Sequence, residues 1–136
     1  MTILVDTNVW IDIIEKRQPH FETSYNAVFK AINNDATCLV TTSSITDIYY
    51  LLRKHFRSTT EAKRRIEWLS QVARFADVLG DDIVRALTVN LSDFEDAVVY
   101  AVANRYEATF ILTRNVKDFT ESAPPALTTQ DYLTLH

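Results

Sequence analysis

Two short apolar runs that end abruptly in polar residues are the feature that most constrains the fold of this chain. Ile3–Val5 is followed by Asp6-Thr7-Asn8, and Phe110–Leu112 is followed by Thr113-Arg114-Asn115. Short apolar runs bounded by polar residues are typical of strands buried in a parallel sheet. A carboxylate at the end of a buried strand is costly unless its charge is compensated, and a metal ion is the usual compensation. Asp6 alone could instead cap the next helix. Because a second apolar strand also ends in polar residues, a functional site at the strand ends is favoured.

Segments with helical spacing alternate with the candidate strands along the chain. We expect strands at Ile3–Val5, Cys38–Thr41, Ala76–Leu79 and Thr109–Leu112. Apolar residues recur with the period of a helix over residues 9–15, 25–33, 45–56, 58–73, 81–87, 93–102 and 129–135. This alternation predicts an α/β fold, with three layers (α/β/α) around a central parallel sheet. We expect a single domain over residues 1–136, and the pattern leaves the strand order open.

Polar residues before several helical segments are expected to cap them. Ser58 and Glu61 have the spacing of a capping box. The other candidate caps are Ser43 or Ser44, Asp81 or Asp82, and Ser92 or Asp93.

Composition narrows the class of protein. Cys38 is the single cysteine, which forbids an intramolecular disulfide and suits a reducing compartment. No apolar run approaches the about 20 residues of a membrane span, and the start has no basic leader, so we predict a cytoplasmic protein without a membrane partner. Gly80 is the single glycine, which excludes the Gly-rich phosphate loops of nucleotide-binding folds.

The charge of the chain is acidic overall but locally basic. A net charge of −4 argues against a protein that coats nucleic acid through bulk charge. It is compatible with an enzyme that acts on nucleic acid through metal ions. One basic cluster is either a solvated helix face or a surface that contacts phosphates or a partner: Arg53, Lys54, Arg57, Lys63, Arg64 and Arg65.

Four polar side chains far apart in sequence are predicted to converge. In a parallel sheet every strand ends at one rim, and the following helices begin there. Asp6 and Asn115 end strands, while Asp47 and Asp96 stand in the first turns of two helical patterns. Asp118 lies at the margin, where it either caps a turn or supplies the charge that Asn115 lacks. Asp47 and Asp96 could instead stand in the first turns because a negative charge there interacts favourably with the helix dipole. Asp93 and Glu95 are better explained by helix capping or by solvent exposure.

Crowded carboxylates would take up protons unless a divalent cation is bound. The ligands are hard oxygens, and His20, His55 and His136 are scattered, so Mg²⁺ or Mn²⁺ fits better than zinc. We expect Asp6, Asp47, Asp96 and Asp118 to be metal ligands. Such a site favours hydrolysis of a phosphodiester by a metal-activated water. A phosphatase with Asp6 as nucleophile is disfavoured, because Asp6-Thr7-Asn8-Val9 lacks a second nearby acid.

These motifs, in this order, resemble those of the PIN domain family, the fold of VapC-type toxin ribonucleases. Asp6-Thr7-Asn8 is similar to the opening motif, Asp47 to the second acid, Asp93–Ala97 to the third motif and Thr113–Asn115 with Asp118-Phe119 to the fourth. The resemblance implies a Mg²⁺- or Mn²⁺-dependent endoribonuclease that acts on RNA. It also implies a homodimer and, for a toxin, a small antitoxin protein as partner. Asp6, Asp47, Asp96 and Asn115 would be catalytic, and Arg114 would bind substrate.

The chain departs from the family pattern at two positions. Asp47 is one methylene shorter than the commoner Glu, and Asn115 replaces an Asp found in many members. Asn115 keeps an oxygen ligand but loses a charge, which would weaken a second metal site unless Asp118 substitutes. The alternative is therefore a catalytically weak PIN scaffold that binds RNA or a protein partner.

Overall fold

The structure is a computed structural model that describes residues 1–91, 93–119 and 124–136. Its centre is a sheet of the five strands β1 (Thr2–Val5), β2 (Thr37–Thr41), β3 (Arg74–Ala76), β4 (Phe110–Leu112) and β5 (Ala126–Leu127). The strand order is β3-β2-β1-β4-β5, and every pair is parallel. β1 is therefore the central strand, and its end lies in the middle of the rim.

Helices cover both faces of the sheet. They are α1 (Thr7–Ile14), α2 (Phe21–Asn33), α3 (Thr42–Phe56), α4 (Thr59–Val72), α5 (Gly80–Ala86), α6 (Phe94–Arg105) and α7 (Thr129–Leu135), with a 3₁₀ helix at Val116–Phe119. Ile3 and Val5 of β1 are buried in the core shared with α1, α2, α3, α4 and α7. Leu4, on the other face, is buried in the core shared with α5 and α6. The predicted three-layer α/β/α fold is confirmed.

The start of α3 differs from the prediction. Its N-cap is Thr41, not Ser43 or Ser44, so the helix begins earlier and Asp47 lies in the second turn. Thr41 is the last residue of β2, and its hydroxyl lies 2.7 Å from that of Ser44. Strand and helix are thus joined without a loop, which leaves no room for a later cap.

The capping box predicted for α4 is half formed. The Ser58 hydroxyl accepts a hydrogen bond from the Glu61 backbone N–H at 3.1 Å, as predicted. The Glu61 carboxylate instead binds Arg64 and Arg65 of the next turn.

The prediction for β3 is wrong in position. The strand is Arg74–Ala76 rather than Ala76–Leu79, because α4 ends at Val72 and the chain then pairs directly with β2. The cap predicted for α5 is also wrong, since Leu79 is the N-cap. Asp82 lies three residues on; its buried carboxylate accepts a hydrogen bond from the Leu79 backbone N–H and pairs with Arg105 at 2.9 Å.

Asp93 is the N-cap of α6, one of the two residues predicted, and its carboxylate accepts a hydrogen bond from the Asp96 backbone N–H at 3.0 Å. Ser92, the other candidate, lies outside the described residues. The sequence pattern did not predict β5, which has only two residues. Within the described ranges, no helix is long and apolar enough to cross a membrane.

Candidate active site

Asp6 is fixed at the end of the central strand. It is 8% exposed, and its backbone N–H donates to the Leu112 carbonyl of β4 at 2.9 Å. Its Oδ1 accepts a hydrogen bond from the Thr7 N–H at 2.8 Å, and its Oδ2 accepts one from the buried Thr113 hydroxyl at 2.8 Å. Asp6 therefore caps α1, which was the alternative interpretation of its position. Its carboxylate is also held by Thr113, which lies 107 positions away in the sequence.

The segment after β4 is organised around Thr113. The Asn115 N–H donates to the Thr113 hydroxyl at 3.0 Å, and the Asp118 N–H donates to the Asn115 carbonyl at 3.0 Å. The same hydroxyl thus orients Asp6 and positions Asn115. These bonds bring Asn115 and Asp118 to the end of β1.

The ends of β1 and β4 and the start of α6 enclose an open cleft of about 300 Å³. Three of the predicted site residues with carboxylates line it: Asp6, Asp96 and Asp118. Asn115 lines it as well, as predicted. The remaining polar lining consists of Thr7, Asn8, Arg17, Asp93 and Glu95. The cleft is therefore strongly acidic, with Arg17 as its cationic side chain.

Burial and mutual repulsion raise the pKa of the acids in this cleft. The pKa of Asp96 rises to about 7, mainly through burial and then through repulsion by Asp6, Asp93 and Asp118. The pKa of Asp6 is also raised by burial and by Asp118, although its hydrogen bonds from Thr113 and Thr7 oppose the shift. Burial followed by repulsion from Asp47 raises the pKa of Glu95. A bound cation would relieve these costs.

Asp47 lies at the edge of this arrangement. It is exposed in the second turn of α3 and is not among the described residues that line the cleft. Its charge nevertheless raises the pKa of Glu95, which places the two carboxylates within electrostatic reach of each other. The structure thus groups Asp6, Asp96, Asn115 and Asp118, with Asp47 adjacent.

Arg114 is tied to a buried acid that the sequence analysis did not single out. Asp12 on α1 is 0% exposed, and its Oδ2 lies 3.0 Å from the Arg114 Nε. Burial raises the pKa of Asp12, and the Arg114 charge opposes that shift. Arg114 remains 31% exposed and lines a second open cavity together with Asn115, Lys117 and Asp118. Contact of Arg114 with a substrate stays a prediction.

Two further residues of the cleft were given no role by the sequence analysis. The buried Asn8 Oδ1 has no hydrogen-bond partner among the described residues. The sequence feature that could have marked Asn8 as a site residue was its place in the motif Asp6-Thr7-Asn8. The Arg17 Nε pairs with Glu15 at 2.9 Å, and nothing in the sequence around Arg17 marks it as a site residue.

The donor set fits a hard divalent cation. It consists of carboxylate oxygens and two amide side chains, Asn8 and Asn115, which suits Mg²⁺ or Mn²⁺. Within the described ranges, no three acid, histidine or cysteine side chains are close enough to hold an ion as they stand. Binding would therefore draw the carboxylates inward, against repulsion that the ion itself removes.

Comparison with known proteins identifies the family. The PIN domain family matches residues 2–117, so this chain belongs to the PIN domain family. Ribonuclease VapC1 of Aquifex aeolicus (strain VF5) is 25% identical over 138 residues, spanning 96% of this chain and 92% of that protein. The resemblance found in the sequence is confirmed.

Solved structures show the same fold. VapBC2 from Rickettsia felis, bound to a DNA fragment from its promoter, aligns with a TM-score of 0.72 and 14% identity over 94% of this chain and 98% of that chain. A toxin-antitoxin complex from Klebsiella pneumoniae aligns with a TM-score of 0.71 and 18% identity over 93% and 97%. Mycobacterium tuberculosis VapC20, described as a Sarcin-Ricin loop cleaving toxin, aligns with a TM-score of 0.61 and 19% identity over 80% and 86%.

Proposed function

We propose that this protein is a Mg²⁺- or Mn²⁺-dependent endoribonuclease and the toxin of a toxin–antitoxin pair. The observation that carries the proposal is the cleft at the strand ends, where Asp6, Asp96 and Asp118 come together and the pKa of Asp96 is raised to about 7. Membership of the PIN domain family and the similarity to Ribonuclease VapC1 support it.

Asp6, Asp96 and Asp118 would hold the divalent ion, with Asp47 as a further ligand from α3. When bound, the ion supplies an activated water and stabilises charge on the phosphodiester. Thr113 and Thr7 hold the Asp6 carboxylate by hydrogen bonds to its two oxygens, so its position is set before any ligand arrives. Asn8 and Asn115 line the same cleft, and their side-chain oxygens would be neutral ligands.

Arg114 and Arg17 are the cations that we propose for the substrate backbone beside the acids. The Arg17 Nε donates a hydrogen bond to Glu15, whereas the Arg114 Nε lies 3.0 Å from the Asp12 Oδ2 in an ion pair without a hydrogen bond. Arginine held in this way can direct its terminal N–H groups toward a phosphate. Arg17 lines the cleft from the segment after α1, and Arg114 lines the second cavity from the end of β4.

The partners that we propose are an antitoxin protein and a second copy of the chain. VapBC2 and the Klebsiella pneumoniae protein are toxin–antitoxin structures and share this fold, which supports the antitoxin. A short gene beside this one, whose product co-purifies with the chain and inhibits it, would be the expected finding. Sedimentation at about twice the mass of one chain would support the homodimer.

Cleavage of labelled single-stranded RNA tests the activity. Wild type should cleave with Mg²⁺ or Mn²⁺, stop in excess chelator and recover when the metal is restored. Asp6→Asn should reduce the rate by about 100-fold or more, because a ligand of the metal ion that would activate the water is lost. Undiminished cleavage in chelator would contradict the proposal.

A catalytically weak scaffold that binds RNA or a protein is the second candidate. Asn115 favours it, because it brings no charge to the cleft, and so does the exposed position of Asp47. RNA binding without metal-dependent cleavage would support the scaffold.

A further inference from the structure

We propose that a basic groove beside the acidic cleft binds backbone phosphates of the RNA strand whose scissile bond lies in the cleft. This inference rests on the proposed ribonuclease function. The groove, here called the α3–α4 groove, has a volume of about 420 Å³. It is lined by Tyr50, Arg53, Lys54, Arg57, Ser58 and Thr59.

The three cations of the groove, Arg53, Lys54 and Arg57, form no ion pair with any acid in the described part of the chain. Two other cations of the same basic cluster are occupied, since Arg64 and Arg65 both pair with Glu61. The groove therefore gathers unpaired positive charge, and an anion would relieve its repulsion.

The backbone turn between α3 and α4 completes the groove. Arg57 ends α3 in the left-handed conformation with φ of 54°, and the chain then enters α4 through its cap, Ser58. Thr59 follows as the first residue of a 14-residue helix. The C-terminus of α3 and the N-terminus of α4 meet at this turn, so their dipoles oppose each other and the positive charge of the groove comes from its side chains.

The α3–α4 groove adjoins the acidic cleft of the candidate active site along α3. Leu51 lines the cleft, whereas Lys54, three residues further along α3, lines the groove. The two positions share a helix face and are separated by about 4.5 Å along the axis. Glu15 connects the cleft to α3, because it binds Arg17 of the cleft at 2.9 Å and lies 3.6 Å from the His55 Nδ1, next to Lys54 in the sequence.

The balance of charge favours RNA as the ligand. A polyanion that enters a cleft lined by five carboxylates is repelled, and it needs an anchor of positive charge close by. Tyr50 lies in the groove with 64% of its surface exposed, and an exposed aromatic ring beside cations is a platform for stacked bases. An acidic peptide would use the charges but would gain less from the ring.

The test compares two double variants on RNAs of two lengths. Lys54→Gln/Arg57→Gln removes charge from the groove, and Lys63→Gln/Arg85→Gln removes the same charge from exposed sites outside it. For single-stranded RNA of about 12 nucleotides, we expect the groove variant to raise the KM about 10-fold. The Kd for the same RNA, measured in the presence of chelator, should also rise about 10-fold. The kcat of this variant, and its activity on a fragment of about 3 nucleotides, should stay at the wild-type level. The salt slope of log Kd should fall by about 1.4 for two lost phosphate contacts.

Groove and control variants that bind the long RNA equally well, with equal salt slopes, would overturn the proposal. A groove variant that keeps RNA affinity but loses affinity for a poly-glutamate peptide would also overturn it, by assigning the groove to an acidic protein. If wild type cleaves RNA with metal while the groove variant matches the control, only this inference fails. A wild type that neither binds nor cleaves RNA would instead reject the proposed function.

Discussion

At the scale of single residues, Asp96 is held in the cleft with an unfavourable electrostatic environment for its charged form. Its pKa is raised from the usual carboxyl range to about 7 by burial and by neighbouring acids. An acid whose folded-state pKa is raised favours the fold when protonated. The contribution of Asp96 to the free energy of unfolding is therefore fully present below the pKa that its carboxyl has in the unfolded chain. This contribution is lost as the pH rises toward 7.

Metal-free protein should accordingly have a lower Tm at pH 8 than at pH 5. The Asp96→Asn variant should lose a large part of this difference, because it removes the titrating group with the shift to about 7. Adding Mg²⁺ should raise the Tm of wild type more at pH 8 than at pH 5. Scanning calorimetry at both pH values measures the effect, and an equal pH dependence in wild type and Asp96→Asn would contradict it.

Asn115 occupies two positions at once, one in the cleft and one in the turn after β4. It lines the cleft, and its backbone also closes the turn before Asp118. If Asn115 is a neutral ligand, Asn115→Asp adds charge and should tighten Mn²⁺ binding by about 10-fold or fill a second site. Unchanged affinity and stoichiometry in a metal titration would make Asn115 a turn residue. Asp118→Ala should then be the more damaging change.

At the scale of secondary-structure elements, one buried ion pair connects α1 to the segment after β4. Asp12 is 0% exposed, whereas its partner Arg114 is 31% exposed. The two single substitutions should therefore differ in cost. Arg114→Ala leaves a buried acid without its cation and should lower the free energy of unfolding by about 3 kcal/mol. Asp12→Asn leaves a cation that can reach water and should cost about 1 kcal/mol.

A double-mutant cycle measured by urea denaturation checks this asymmetry. The variant Asp12→Asn/Arg114→Ala should be more stable than Arg114→Ala alone, because the unpaired buried carboxylate is gone. Equal costs for the two single variants, without recovery in the double variant, would show that the pair is not coupled in this way.

The elements also show what the sequence could reveal about the fold. The central strands were predictable because their residues are continuously apolar, and the Ser58 cap was predictable because its pattern is local. β5 was not predictable, since two residues carry no periodicity and its place depends on pairing with β4. β3 was predicted too late in the chain, because Val78 and Leu79 look like strand residues but lead into α5.

The site was predictable only in part, for a related reason. The convergence of Asp6, Asp96 and Asn115 follows from the topology of a parallel sheet, which sequence alternation indicates. Arg17, and the pairing of Asp12 with Arg114, depend on contacts between elements that no local pattern encodes. Asp47 was placed in a first turn because the cap of α3 was assigned to a serine instead of Thr41.

At the scale of the whole molecule, the topology explains why so small a chain can build an acidic site. The central strand β1 has β2 on one side and β4 on the other, so Asp6 emerges between the two neighbouring strand ends. α6 packs on the adjoining face and brings Asp96 to the same rim. The sheet and its two helical layers thus hold like charges together, and the packed core opposes their repulsion.

The central claim is that this rim is a divalent-metal site, and a calorimetric titration of metal-free protein with Mn²⁺ at pH 7 tests it most directly. Wild type should bind Mn²⁺ with release of protons, because the raised pKa of Asp96 leaves part of that carboxyl protonated near neutral pH. Asp6→Asn and Asp96→Asn should each weaken binding by about 100-fold, whereas the groove variant Lys54→Gln/Arg57→Gln should bind as wild type does. Mn²⁺ affinity that is the same in wild type, Asp6→Asn and Asp96→Asn would contradict the account.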